Sequence, residues 1–442
     1  MLRVEEVYDT QEFSGVADVV VIGAGIIGTS TAYELARRGV SVALVDKGIV
    51  GGEQSGRNWG WVRQQNRDLF ELPLAMRSLH RWGQLRDEIQ IDLGFRREGI
   101  LYASNDAKTI ALWESWGKQA REIGFVSHVL GAAEIAAHAP RGGPRYAGGV
   151  WSPDDGRAEP SRATPALAEG AKRHGAQLYQ NCAARGLELS AGRVSGVWTE
   201  RGLIKAGAVV SAGGAWSSRF CLRHGIEVPT VNVVGTAMRT SVAPNVVNGC
   251  FSGPDFALRR RLDGSYTLAI PGVGRIDLAP LGLRNALKYY RNYRNDIGKK
   301  LKYRLSKRWF QGAEASASWD FDQVSPFERC RVLDPNPDLE LVRAALDNVK
   351  RAIPEFSDMR IVHAWGGAID TTPDLIPVIS DVGTLPGFYV ASGFSGHGFA
   401  LGPAAGELVA DMVTGAKPMM DVAPYRLGRF SDGTSLKVPE MM

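Results

Sequence analysis

Cysteine is scarce. The four residues Cys182, Cys221, Cys250 and Cys330 lie far apart and form no CxxC pair, which argues against a zinc site or a dithiol redox centre and fits four reduced thiols in a cytoplasm. Long apolar runs are missing as well: no stretch reaches the roughly 18 residues of a membrane span. The start MLRVEEVYDTQEF is acidic and has no basic-then-apolar leader pattern. The expectation is a soluble cytoplasmic protein. Charge of one sign is also lacking, since 52 Lys and Arg stand against 47 Asp and Glu for a net +5. That balance is too mild for a nucleic-acid-binding surface, and no metal is expected.

Glycine, by contrast, is abundant, with 52 residues in 442 against a usual share of about 7 %. Without low complexity, such an excess suggests tight turns and close backbone approaches to a ligand. The chain length suits two domains.

The first informative stretch is Asp18-Val-Val-Val-Ile-Gly, a short β-branched apolar run, leading into Gly23-Ala-Gly25-Ile-Ile27-Gly28 and the helical pattern TSTAYELARRG. A second apolar run from Val40 ends in Asp46, 46 − 28 = 18 residues after the last glycine. That spacing suits a carboxylate on a ribose hydroxyl. Gly23 permits the turn, Gly25 admits a pyrophosphate and Gly28 lets the helix pack on the strand, with the helix N-terminus facing the negative charge. A plain βαβ unit is the bland alternative, and these residues do not choose between FAD and NAD.

The chain beyond Asp46 is unlike a regular NAD domain. The polar segment GGEQSGRNWGWVRQQNRD, Gly51 to Asp68, packs three Arg and two Trp between the second strand and the next helical pattern at Leu72. Such a loop can line an isoalloxazine. Much later Ala208-Val-Val-Ser-Ala-Gly-Gly-Ala-Trp-Ser217 is a buried-strand pattern running into a glycine turn, after the hairpin-like alternation from Gly192. Near the end, Phe388 to Gly398 repeats strand and glycine turn, and Leu401, Ala405, Leu408 and Met412 share one helical face. That helix N-terminus would stabilise negative charge on a reduced flavin, with His397 beside the ring.

Four ordered segments, VVVIGAGIIG, VVSAGGAWS, WGGAIDTTPDLIPVIS from Trp365 to Ser380, and GFSGHGFALGPAAGE, together resemble the D-amino acid oxidase family. This family of FAD-dependent enzymes includes glycine oxidase, monomeric sarcosine oxidase and the bacterial L-amino acid deaminases, and the deaminases look most similar. The resemblance implies an α/β (α+β), two-domain fold: a Rossmann-like FAD-binding domain of glutathione-reductase type with an inserted substrate domain built on a mixed β-sheet. The implied boundaries are 14–95, 150–225 and 362–430 for FAD, and 96–149 and 226–361 for substrate. Implied FAD contacts are Gly23, Gly25, Ile27, Gly28, Asp46, Lys47, Gln54, Ser55, Arg57, Asn58, Trp59, Gly60, Ala184, Ala212, Gly213, Trp216, Gly367, Gly393, Gly396, His397, Gly398, Phe399 and Ala400. Gly367 stands where sarcosine oxidase anchors its flavin through a Cys, so non-covalent FAD is expected.

The implied chemistry oxidises a C–N bond by hydride transfer to flavin N5, leaving an imine that water hydrolyses. Electrons then go to oxygen or to an acceptor partner. Positioning is expected to do most of the work, and the substrate is an amine or amino acid. A carboxylate substrate wants an Arg or Lys, yet Ile369 and Ala400 stand where glycine oxidase has Arg and sarcosine oxidase has Lys. Gly272 replaces the Arg of the deaminases, with Arg275 three residues on. Arg275 is the leading carboxylate candidate; Arg63 and Gln64 come next, the bland reading of Arg63 being a surface pair with Asp68. Arg275, Arg63 and His397 are therefore the candidate catalytic residues. A dehydrogenase subunit for opine-type amines, or an FAD-binding protein without turnover, are the other readings.

From Arg284 to Arg308 ten basic residues face one acid, interleaved with four Tyr. Leu301, Leu305 and Trp309 recur at helical spacing, so a basic amphipathic helix after Gly298 is expected. In the deaminases an insertion here contacts membrane, which implies a peripheral membrane or partner contact; a solvated helix is the bland alternative.

Overall fold

The computed structural model describes residues 4–290, 298, 300–306, 309–315 and 318–436. Its first large element is a six-stranded sheet in the order Val378–Asp381, Phe388–Ser392, Ala208–Ser211, Val19–Ile22, Val42–Val45, Gln177–Tyr179. All neighbours are parallel except the first pair. The strands are short and almost fully buried, as runs covered on both faces must be. Val19–Ile22 is central, with chain progression reversing on either side of it. In such a sheet the ligand crevice opens at the carboxyl end of that strand.

Helix Ile26–Arg37 leaves that crevice and packs on helix Gly398–Thr414. Their approach is close because Gly402 and Gly406 carry no side chain: a Cβ would stand 2.6 Å from Ile26 and 2.5 Å from Ser30. Helix Leu72–Ile89 locks the same helix from the other side, with Ser78 and Trp82 both donating to the Ala400 carbonyl at 2.6 and 3.0 Å. The N-terminus of Gly398–Thr414 is therefore fixed in space by tertiary packing.

The second large element is a ten-stranded mixed sheet. Its axis is Val231–Val242 paired along its length with Ile361–Thr371, bringing Gly235 opposite Gly367. On its other side lie Gly274–Leu278 and Ser265–Ala269. A three-stranded antiparallel meander, Ala184–Lys205, completes the chain segment that precedes Ala208–Ser211. Among the described residues no helix is long and apolar enough to cross a membrane.

One expectation fails. Leu301–Leu305 is a strand, parallel to Gly274–Leu278 with Leu301 opposite Gly274 and Leu305 opposite Leu278, not a helix. Leu301, Tyr303 and Leu305 also read at period two, and the open edge of Gly274–Leu278 offers backbone partners that an isolated turn of helix lacks. Lys302 is held by Asp338 at 2.9 Å and Glu340 at 2.7 Å, and Arg304 by Asp277 at 3.0 Å. Residues 291–297, 299, 307 and 308 of the basic stretch lie outside the described residues.

Candidate active site

A cavity of about 810 Å³ opens at the carboxyl end of Val19–Ile22 and extends to the face of the mixed sheet. It brings together, from the expected FAD contacts, Gly23, Gly25, Ile27, Asp46, Lys47, Gln54, Ser55, Arg57, Asn58 and Trp59 from the N-terminal third. Ala184, Ala212, Gly213, Trp216, Gly367, Gly396, His397, Gly398, Phe399 and Ala400 join from the rest. Gly28, Gly60 and Gly393 do not line it. A Cβ on Gly28 would stand 1.8 Å from the Gly23 oxygen, so its contribution is the close helix-to-turn packing. Gly60 has φ +80, and a Cβ there would meet the Ala158 oxygen at 2.5 Å and the Arg259 guanidinium at 2.7 Å. Gly393 donates its N–H to Asp370 at 2.6 Å, beneath the cavity floor.

The nucleotide end is built from backbone. Gly23, at φ +105, turns the chain so tightly that any Cβ would be 2.5 Å from the Ala212 oxygen. Asp46 accepts from Ala24 N at 2.6 Å and Gly48 N at 2.7 Å, and burial pushes its carboxyl up. Ser55 Oγ accepts from Ile26 N at 2.8 Å, placing a hydroxyl at the positive end of the first helix. The close backbone at Gly23 and Gly25, the Ser55 hydroxyl and the N-terminus of the first helix make a site that fits the pyrophosphate of FAD.

Several polar tips expected to face a ligand are engaged within the protein. Lys47 pairs with Glu53, donates to the carbonyls of Cys330 and Arg331 at 2.9 and 3.0 Å, and sits 4.4 Å over the Trp216 ring. Glu53 in turn accepts from Leu333 N at 2.8 Å. Arg57 pairs with Asp334 and donates to Gly366 O at 3.1 Å. Asn58 clamps its own turn, accepting from Gly60 N at 2.7 Å and donating to Ser55 O at 2.6 Å. These residues shape the loop that carries Trp59 and Trp61, whose rings meet edge-on at 5.6 Å.

At the far end lies a different constellation. Glu71, fully buried at the start of helix Leu72–Ile89, meets His397 Nδ1 at 2.9 Å. Burial pushes His397 down to about 4, with the nearby Arg67 charge acting the same way. His397 is therefore neutral at pH 7, its Nδ1–H donating to the Glu71 carboxylate and its Nε2 left as an acceptor. Arg63 donates to the Gln65 carbonyl at 2.6 Å and stands 5.8 Å over the Tyr102 ring. Gln64 turns away from the cavity, its backbone and side-chain N–H groups reaching Asp155 at 2.8 and 3.1 Å.

Arg275 is a correction. It is absent from the cavity wall, where Gly272, Val273 and Ile276 appear instead. Strand alternation is the cause: Ile276 faces the cavity, so Arg275 faces away and pairs with Asp277 at 3.1 Å. Several contributors fall outside the expected set, Tyr102, Trp113 and Arg331 among them. Arg67 and Asp370 line the cavity, and Glu71 supports it from beneath. Arg67 falls within the Gly51 to Asp68 loop, and the arginine content of that loop is the available signal.

A mostly parallel sheet with a glycine turn, joined through one cavity to a mixed sheet, is the architecture of a nucleotide-cofactor-binding protein. The family model described as FAD dependent oxidoreductase, DAO, matches residues 18–412, and the chain belongs to that family. The L-amino acid deaminase of Proteus myxofaciens, solved in complex with anthranilate, superposes with a TM-score of 0.92 at 31% identity over 97% of each chain. Glycine oxidase of Pseudomonas aeruginosa is 28% identical over 92% of this chain and 97% of its own. Human mitochondrial sarcosine dehydrogenase is 25% identical over 94% of this chain, which spans only 41% of that relative's length.

Proposed function

We propose that this flavoenzyme oxidises the C–N bond of an amino acid or N-substituted amino acid, with FAD held non-covalently. The observation that carries the reading is the continuity of one cavity from the glycine turn to the Arg63, Arg67 and His397 end. A dinucleotide and a small amine then meet in one enclosed space. FAD, when bound, supplies the hydride acceptor. None of the four cysteines lines the cavity, which supports attachment without a thioether.

The chain's own part is positioning. Trp59, Trp61 and Tyr102 exclude water, which favours the neutral amine that the reaction needs. His397, fixed by Glu71 through Nδ1, is a rigid polar part of the wall that would help orient the amine. The residues 14–95, 150–225 and 362–430 would serve FAD, and 96–149 with 226–361 the substrate. The purified protein should be yellow, release its flavin on denaturation, and lose its flavin absorption anaerobically with amino or N-methyl amino acids. A colourless protein that no flavin restores would sink the reading.

A second reading, a dehydrogenase that hands electrons to a membrane-bound or protein acceptor, is favoured by one surface feature. Leu287, Leu305 and Phe310 are 90%, 73% and 78% exposed, among Arg284, Lys288, Lys302 and Arg304. Substrate-dependent dye or quinone reduction with negligible oxygen uptake supports it, and rapid oxygen uptake without an added acceptor excludes it.

A further inference from the structure

Among the described residues, Arg67 is the one arginine of the cavity wall with a buried donor left over. It is 3% exposed, and its Nη1 is buried with no hydrogen-bond partner. Its Nε makes only a long 3.4 Å bond to the Arg63 carbonyl. The carboxylates that could have served it are committed elsewhere. Glu71 is bound to His397 at 2.9 Å, and Asp155 accepts from Gln64 N and Gln65 N at 2.8 and 3.1 Å. By contrast Lys47, Arg57 and Arg331, on the same wall, are each paired with an acid.

A buried guanidinium without an acceptor is unfavourable, and its planar fork is the shape that a carboxylate fills. The loop holds it rigidly: Asp155 pins Gln64 and Gln65, Asn66 takes a left-handed turn at φ +61, and Trp116 Nε1 anchors the Arg67 carbonyl at 2.8 Å. Burial, with the Arg63 charge second, pushes Arg67 down to about 9, as expected of a cation awaiting its partner.

We propose that Arg67 is the carboxylate anchor of this enzyme, since neither Gly272 in its turn, Ile369 on its strand nor Ala400 on its helix supplies a cation. The ligand it takes is an organic monocarboxylate, whose apolar part lies against Tyr102 and Trp113. The inference rests on the amino-acid reading for its catalytic meaning, but its binding content stands apart from turnover.

The test titrates the FAD-loaded protein with benzoate, following the perturbation of the flavin spectrum, with benzyl alcohol as the uncharged control. Arg67→Gln should weaken benzoate by about 30-fold, the scale of one charged hydrogen-bonded pair. Arg67→Lys, which keeps the charge but loses the fork, should weaken it by about 10-fold, and Arg275→Gln should stay within about twofold. Benzyl alcohol should not discriminate among the proteins. Melting temperature and flavin content identify a variant that has merely lost its fold, in which case Arg67→Lys decides. Benzoate binding that is unchanged in Arg67→Lys, or absent from the parent protein, overturns the proposal. Arg67-dependent benzoate binding without flavin reduction by any amino acid would leave the anchor standing and remove the amino-acid reading. Flavin reduction by amino acids with the same apparent Kd in Arg67→Gln would do the reverse.

Discussion

The two ends of the cavity are built by opposite means. At the glycine turn the backbone sets the shape: Gly23, Gly25 and Gly28 make room, and the two side chains that take part, Asp46 and Ser55, accept from main-chain amides. At the Arg67 end the side chains do the work, and one of its pairs joins residues distant in sequence: His397 depends on Glu71 across 326 positions. A backbone site tolerates no added atoms, whereas a side-chain site tolerates substitution and changes what it binds.

The largest effect should therefore come at the nucleotide end. Gly28→Val would place atoms inside contact distance of the Gly23 oxygen, where even the Cβ stands 1.8 Å away. The outcome should be a protein without detectable flavin, read as the absorbance ratio at the flavin and protein bands, since a helix packed this tightly has no room to relax.

The next effect concerns acid stability. His397 is held neutral, its folded value about 4 against an ordinary 6.5, chiefly by burial. Between those pH values the unfolded chain binds a proton that the folded chain does not, so stability rises with pH through this window and is fully present above it. The contribution should be on the order of 3 kcal/mol. Urea unfolding of His397→Gln from pH 4 to 7 should give a flatter curve than the parent; parallel curves would contradict the neutral His397.

A smaller but sharper comparison sets Arg67 against Arg275. Both are buried arginines, at 3% and 8% exposure, yet only Arg67 lines the cavity. Loss of amino-acid affinity in Arg67→Gln should exceed that in Arg275→Gln by about tenfold or more. Equal losses would mean that both act only through folding.

The smallest effect belongs to the surface. Lys302→Glu should leave flavin content and anaerobic reduction by amino acids within about twofold, because exposed ion pairs contribute little. If it instead slows electron delivery to an added acceptor while reduction is unchanged, the basic edge is a dock.

Legibility in the sequence divides along the same line. The nucleotide end could be read because its constraints are local: a β-branched run, glycines at fixed offsets and a terminal acid all fall between Val19 and Asp46. The loop from Gly51 to Asp68 was legible as a ligand-facing segment but not residue by residue, since the pairing of Arg57 depends on Asp334 and the turning of Gln64 away from the cavity depends on Asp155, both far along the chain. Arg275 went astray because strand alternation, set by pairing with Val231–Val242, decides which face it takes. Leu301–Leu305 fitted two periods at once, and only the open edge of the neighbouring strand resolved it.

The most direct test of one cavity serving both cofactor and amine is anaerobic titration of the FAD-loaded protein with a panel of D- and L-amino acids, N-methyl amino acids and matched decarboxylated amines. At least one carboxylated amine should bleach the flavin, and at lower concentration than its decarboxylated partner. Stable yellow colour across the whole panel, or equal potency with and without the carboxylate, would contradict a shared cavity with a carboxylate anchor.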